Sequence, residues 1–266
     1  KGLAQTLSAS ARPETKEYGL ATIRIGLTPK GQNDYKEIVL ATLDYIELIK
    51  ELGYQPHVYN ELKTVAELEE IYGSKGEGMW RATQMANEAM MHPLEDAGRI
   101  NFIYRDNSKE TFENLLTHLT PDNMLVVLTA KGVTTDKKEH YYQAPYSYTE
   151  DIEFYHTLTS ASPRAEFMIA EENPFIPESA SIPNREIKEG ILPVPLISGD
   201  GANIYFGADH EFLRPKGVIS FKILFPKDVM TLEHRVYLKL YSECVNESLN
   251  ELGYPAKQAG LNYSFR

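Results

Sequence analysis

Val218-Ile219-Ser220-Phe221-Lys222-Ile223-Leu224-Phe225, the run from Leu232 to Leu252, and Ala259-Gly260-Leu261-Asn262-Tyr263-Ser264-Phe265 read as strand, helix, strand. Ahead of them Ile204-Tyr205-Phe206 is β-branched and aromatic, as strands favour, and Arg214-Pro215-Lys216-Gly217 turns the chain. The mostly apolar run at 218–225 predicts a strand packed on at least one face, stopped by Pro226. Thr231 and Asp228 compete as the N-cap of the helix. Leu232, Val236, Leu240 and Cys244 then recur every four residues, beside Val245, Leu249 and Leu252, which predicts one broad face pressed on a sheet. Gly253 stands where a left-handed residue would end the helix.

The chain before this stretch carries further elements. Lys1–Ala11 and Tyr18–Leu27, separated by Arg12-Pro13-Glu14-Thr15, predict a hairpin or neighbouring strands, with Leu20, Thr22 and Arg24 on one side and Ala21, Ile23 and Ile25 on the other. Thr28-Pro29-Lys30-Gly31 opens a long helix that Gly53 closes. A second helix is expected from His57 to about Tyr72, with Leu62, Val65, Leu68 and Ile71 on one face and Glu61, Glu67, Glu69 and Glu70 outward. The glycine-rich Gly73–Gly78 fails the phosphate-loop pattern, because Met79-Trp80 follows the last glycine. A third helix, Trp80–Met91, carries a Met-rich face read as core. Helices are also expected at Ser108–His118 and Asp151–Ser160, and Met124–Thr129 is the clearest buried strand. The aromatic run Lys138–Tyr146 reads as a strand or loop whose rings cover a sheet edge. Pro174, Pro177 and Pro183 make 171–190 a semi-rigid linker between domains.

Asp209-x-x-Phe212-x-x-Pro215-Lys216, then Tyr254-x-Ala256-x-x-Ala259-Gly260-Leu261-x-Tyr263, and upstream Asn173-Pro174-Phe175-Ile176-Pro177, resemble the insulinase/pitrilysin family of zinc metallopeptidases in order and separation. The resemblance implies an α+β fold of two-layer domains, each a mainly antiparallel sheet with helices packed on one face (insulinase/LuxS-like). It places a non-catalytic second domain at 1–170, the linker between the family's two halves at 171–190, and the N-terminal part of an incomplete third domain at 191–266. The first residue is Lys and the last lie in a strand-like run, so a piece of a longer protein is expected. A half-domain exposes a sheet edge, which makes a homodimer of the fragment an expectation.

Composition narrows the function classes. A net charge of −11 with no basic stripe argues against nucleic-acid binding. No apolar run approaches the length of a membrane span. A single cysteine leaves no internal disulfide framework and no thiolate zinc cluster, and Cys244 on the apolar helix face reads as a buried thiol. The compartment stays open: periplasmic or secreted for a bacterial pitrilysin-like enzyme, otherwise cytoplasmic.

No catalytic or metal site is expected here. The family's zinc site is H-x-x-E-H on a helix, two imidazoles on one face and a glutamate base. Met230-Thr231-Leu232-Glu233-His234 comes nearest, with a thioether where the first imidazole must be. No two of the seven histidines sit three or four apart, and no nucleophile elbow or dinucleotide fingerprint is present. Asp209 reads as a turn or hydrogen-bonding residue. By resemblance, zinc belongs to the first domain of the parent protein, and this stretch alone should have no peptidase activity.

The resemblance also implies one binding site. In the family a strand of the second domain forms an exosite that pairs with the N-terminal end of a peptide substrate by β-augmentation. Leu7, Ser8, Ala9, Ser10 and Ala11 occupy that strand here. The expected role is therefore the non-catalytic part of a zinc metalloendopeptidase, with peptides and the remaining domains of the same polypeptide as partners. The alternatives are a metal-less homologue serving as scaffold or partner subunit, and a free-standing peptide-binding module.

Overall fold

The structure, a computed structural model, describes residues 2–74, 76–181, 192–199, 201–208 and 214–265. Its elements run β1 Ala4–Pro13, β2 Gly19–Leu27, α1 Pro29–Asn33, α2 Tyr35–Leu52, α3 Pro56–Tyr72, α4 Gly78–Met91, α5 Lys109–Thr117, β3 Lys137–Lys138, β4 Pro145–Tyr146, α6 Ile152–Leu158, β5 Val194–Gly199, β6 Ala202–Phe206, α7 Leu232–Ser248 and α8 Asn250–Gln258. Among the described residues the strands form three antiparallel pairs, β1–β2, β3–β4 and β5–β6. The fold is α+β. Two compact units are present: Lys1–Tyr59 with Arg105–Glu171, and Asn60–Tyr104 with Glu172–Arg266.

In the first unit the helix expected from Thr28 to Gly53 is two, α1 and α2, parted at Asp34, and local capping sets their outer ends. Thr28 is an N-cap whose Oγ1 accepts from the Gly31 N–H at 3.0 Å. Gly53 ends α2 at φ 68° while its N–H donates to the Ile49 carbonyl. Ser108 and Asp151 cap α5 and α6. The core gathers Leu43 and Ile46 of α2 with Leu158 of α6, and Val39, Leu40, Leu119, Phe154 and Ala161 pack around them. One polar group sits beside these residues. The buried Asp44 carboxylate accepts from Arg164 Nε at 2.5 Å and from the Ser162 N–H at 2.9 Å, and Arg164 also donates to Glu37 at 2.8 Å. The two carboxylates hold the Arg164 guanidinium more firmly protonated than usual, its hydrogen bond to Glu37 contributing most. A buried carboxylate is tolerable only when paired in this way.

In the second unit polar groups do more of the joining. The Asn173 N–H donates to Glu61 of α3 at 2.8 Å, its Nδ2 donates to the Pro255 carbonyl of α8 at 2.9 Å, and its Oδ1 accepts from Phe175 at 3.0 Å. The Glu88 carboxylate of α4 accepts from the Gly98 N–H at 2.6 Å and from Gln84 at 2.7 Å. Gly98 has φ 81°, and a Cβ there would lie 2.9 Å from Met85 Cγ, so backbone and close approach both require glycine.

Several expectations fail. Among the described residues Val218–Phe225 and Met124–Thr129 belong to no ladder, and their apolar side chains are largely exposed, Val218 at 95% and Val127 at 75%. An apolar run predicts extended backbone, whereas a strand also needs a neighbour, which lies elsewhere in the chain or outside it. Residues 259–265 form no third strand. Their C-terminal part runs along α7, where Ser242 Oγ donates to the Phe265 carbonyl at 3.0 Å and Tyr241 meets the Phe265 ring edge-on. The buried side of α7 is therefore at Ser242, while Leu232, Val236, Leu240 and Cys244 face outward. Gly253 does not end the helix but lies inside α8, where a Cβ would stand 2.7 Å from Tyr263 Oη. It is a glycine of close approach. The Met-rich α4 has no buried residue. Glu61 and Glu70 of α3 turn toward partners, Asn173 and Arg99. The rings of Tyr141 and Tyr142 are 85% and 90% exposed and cover no sheet edge among the described residues, Tyr141 meeting only the neighbouring His140 ring edge-on.

Candidate functional site

Strand β1 is exposed along all ten residues, and among the described residues it pairs with β2 alone. Its partner is half-buried at Thr22 and from Ile25 to Leu27. The register sets Leu7 opposite Ile25, Ala9 opposite Ile23 and Ala11 opposite Ala21, and between them Ser8 opposite Arg24, Ser10 opposite Thr22 and Arg12 opposite Leu20. Directly opposed residues share a face and successive residues alternate. The hairpin thus has an apolar face of Leu7, Ala9, Ala11, Ala21, Ile23 and Ile25, and a polar face carrying Ser8, Ser10, Thr22 and Arg24. Leu7 to Ala11 lie together on one open strand, as the sequence places them.

Both ends of this hairpin are fixed. At its root the Leu3 carbonyl accepts from the Thr28 N–H at 3.0 Å, and Thr28 Oγ1 donates to the Gly2 carbonyl at 2.8 Å. A Cβ on Gly31 would lie 1.9 Å from the Leu3 oxygen, so glycine lets the strand root rest on α1. The register slips between Ala4 and Thr6, a bulge that bends the strand where it leaves the root. At the tip the Glu14 and Thr15 N–H groups donate to the Tyr18 carbonyl, and Arg12 pairs with Glu14 at 2.6 Å. Arg24 is the residue the sequence reading assigned no role. It is exposed and makes no ion pair among the described residues. Neither β1 nor β2 contains an acidic side chain.

The remaining candidates carry less. Thr231 caps α7 and accepts from the His234 N–H, while His234 Nδ1 contacts the Val229 carbonyl. His234 borders an open, mainly apolar hollow of about 340 Å³ with Phe225, Met230 and Tyr237, a setting with no second imidazole. Among the described residues no group of three or more His, Cys, Asp or Glu is arranged to hold a metal ion. These residues do not fit zinc. Asp209, His210 and Phe212 lie outside the described residues, as does the linker from 182 to 190. No helix among the described residues is long and apolar enough to cross a membrane. The tip of the β3–β4 hairpin is ordered by Glu139, which accepts from the Tyr141 and Tyr142 N–H groups at 2.7 and 2.6 Å. Those two donors, Tyr141 first, hold its carboxyl below the usual range.

The described residues thus form an α+β chain with an open edge strand at β1. The comparisons give the family. Residues 72–266 match the family described as the middle or third domain of peptidase M16. The chain belongs to that family, the insulinase/pitrilysin peptidases. It is similar to human insulin-degrading enzyme, 25% identical over 272 residues, covering 100% of this chain and 26% of that protein. It is also similar to insulin-degrading enzyme-like 1, peroxisomal, of Arabidopsis thaliana, 24% identical over 98% of this chain and 27% of the relative. Human nardilysin is 21% identical over 94% of this chain and 22% of its own length. The crystal structure of pitrilysin shares the fold, with a TM-score of 0.74 over 97% of this chain and 28% of that one at 20% identity. The chain thus spans about a quarter of the length of the relatives it matches.

Proposed function

We propose that this chain is a substrate-binding, non-catalytic portion of a zinc metalloendopeptidase that degrades peptides. On this reading residues 1–170 and 191–266 line the chamber that receives the peptide, and 171–190 join the halves. The zinc and its general base lie elsewhere in the same polypeptide. Family membership supports the reading, and so does a Schizosaccharomyces pombe relative, 22% identical to this chain, that bears the name "putative zinc protease".

One observation carries the binding role. β1 presents Leu7–Ala11 on an edge unpaired among the described residues, in a hairpin already fixed at root and tip. A peptide added there would gain a ladder of main-chain hydrogen bonds independent of its sequence, with alternate side chains read by the two faces. Small side chains at Ser8, Ala9, Ser10 and Ala11 let the second backbone approach.

The test uses two proline pairs, Ser8→Pro with Ser10→Pro and Ala9→Pro with Ala11→Pro. Along an antiparallel strand alternate N–H groups face the partner and the open side. One pair therefore removes outward donors and leaves the β1–β2 ladder intact, which amide exchange identifies. That variant should bind a long unfolded peptide about tenfold more weakly, read by fluorescence anisotropy. Unchanged affinity in the variant that keeps its hairpin overturns the proposal.

A further inference from the structure

We infer that the β1 edge selects peptides whose side chains alternate between apolar and acidic, with Arg24 as the specificity-determining residue. The inference rests on the peptide-binding reading above and adds the substrate class.

The hairpin is two-faced. Residues Leu7, Ala9 and Ala11, backed by Ile25, Ile23 and Ala21, make one side apolar. Ser8 and Ser10, backed by Arg24 and Thr22, make the other polar. A strand hydrogen-bonded to β1 continues the pleat, so its side chains fall alternately on these two faces. Those on the first face meet Leu7, which is 70% exposed, and gain by covering it. Those on the second meet a face whose one unpaired charge is Arg24.

Position favours the contact. The added strand would lie about 5 Å from β1 and about 10 Å from β2. The residue between it and Arg24 is Ser8, directly opposite in the ladder and among the smallest side chains available. The long arginine can lie across Ser8 toward an incoming carboxylate, as a diagonal or second-strand neighbour does for long side chains. Arg12 lies on the same face, but its charge is already matched by Glu14. No carboxylate on either strand competes for Arg24.

The local field opposes the global one, which makes the inference sharp. With a net charge of −11 the chain as a whole attracts cationic peptides. At ordinary ionic strength that attraction is screened over about 8–10 Å, whereas a contact across one serine is not. The two predict opposite rankings.

The experiment measures anisotropy of labelled short peptides on the full chain: one alternating Val with Glu, one alternating Val with Lys, and a copy of the first N-methylated at alternate backbone nitrogens. The Val/Glu peptide should bind about fivefold tighter than the Val/Lys peptide, the size expected of one cross-strand charge contact turned from repulsion to attraction. Arg24→Gln should erase the ranking and Arg24→Glu reverse it. Equal or tighter binding of the Val/Lys peptide, or a ranking indifferent to Arg24, overturns the inference. If both unmethylated peptides still bind and the methylated one does not, the β-augmentation reading survives that failure. If no peptide binds, or the methylated peptide binds equally well, both fall.

Discussion

Leu43 on α2 and Leu240 on α7 both sit on apolar helix faces with helical spacing, yet Leu43 is 3% exposed and Leu240 is 59% exposed. The difference lies in what the chain brings to each face. Leu43 meets Leu158 and Phe154, which α6 supplies more than a hundred residues later. Among the described residues the stripe of Leu232, Val236 and Leu240 meets no such element: 218–225 forms no ladder there and 261–265 lies on the Ser242 side. A periodic apolar stripe reports which side of a helix wants cover. It does not report whether the same chain provides it.

The comparison can be broken directly. Leu43→Ala should lower the unfolding free energy by about 3 kcal/mol, the cost of a cavity in a packed core, whereas Leu240→Ala should change it by no more than about 0.5 kcal/mol. Urea titration of each variant decides, and equal losses would mean that α7 is packed after all. A smaller effect sharpens the contrast in how the second unit is joined. Asn173→Ala removes one side-chain donor and one acceptor, the links to α8 and to the Phe175 N–H, while the backbone N–H to Glu61 of α3 remains, and should cost about 1.5 kcal/mol. Faster amide exchange at Phe175 and in α8, with α2 unaffected, is the expected sign.

The smallest effect is one of pH. Tyr141 and Tyr142 donate to Glu139, so its folded value lies below its unfolded one. The stabilisation is therefore present above the ordinary carboxylate range and is lost as the pH falls through the depressed folded value. The Tyr141 and Tyr142 amide resonances should titrate with a midpoint below that of an ordinary glutamate. Glu139→Gln should flatten both curves.

Legibility in the sequence followed the range of the interaction. Ser108 and Thr231 each act within three residues of themselves and cap helices that start where the sequence places them, and Asp151 caps the helix expected from it; Thr28 caps the short α1 and not the long helix expected up to Gly53. The β1–β2 hairpin was legible because its strands are close in sequence and alternate. The Leu7–Ala11 strand was legible through family likeness, since its composition of Ala and Ser carries little signal. Arg24 was not, because its meaning depends on Ser8 standing opposite, a fact of register. Gly253 misled for a similar reason: a glycine before Tyr254-Pro255 looks like a stop, but its neighbour is the ring of Tyr263, ten residues on. Buried strands at 124–129 and 218–225 were over-read, since hydrophobicity identifies a wish for burial and no partner.

Gly31 has a bearing on how tightly such an edge can hold anything. By letting the Leu3 carbonyl settle against α1, it keeps the strand from swinging before a ligand arrives. A peptide joining it would then have to freeze its own backbone alone, while the receiving strand stays as it was. Residence on this edge should accordingly depend more on the stiffness of the visitor than on any rearrangement of the host.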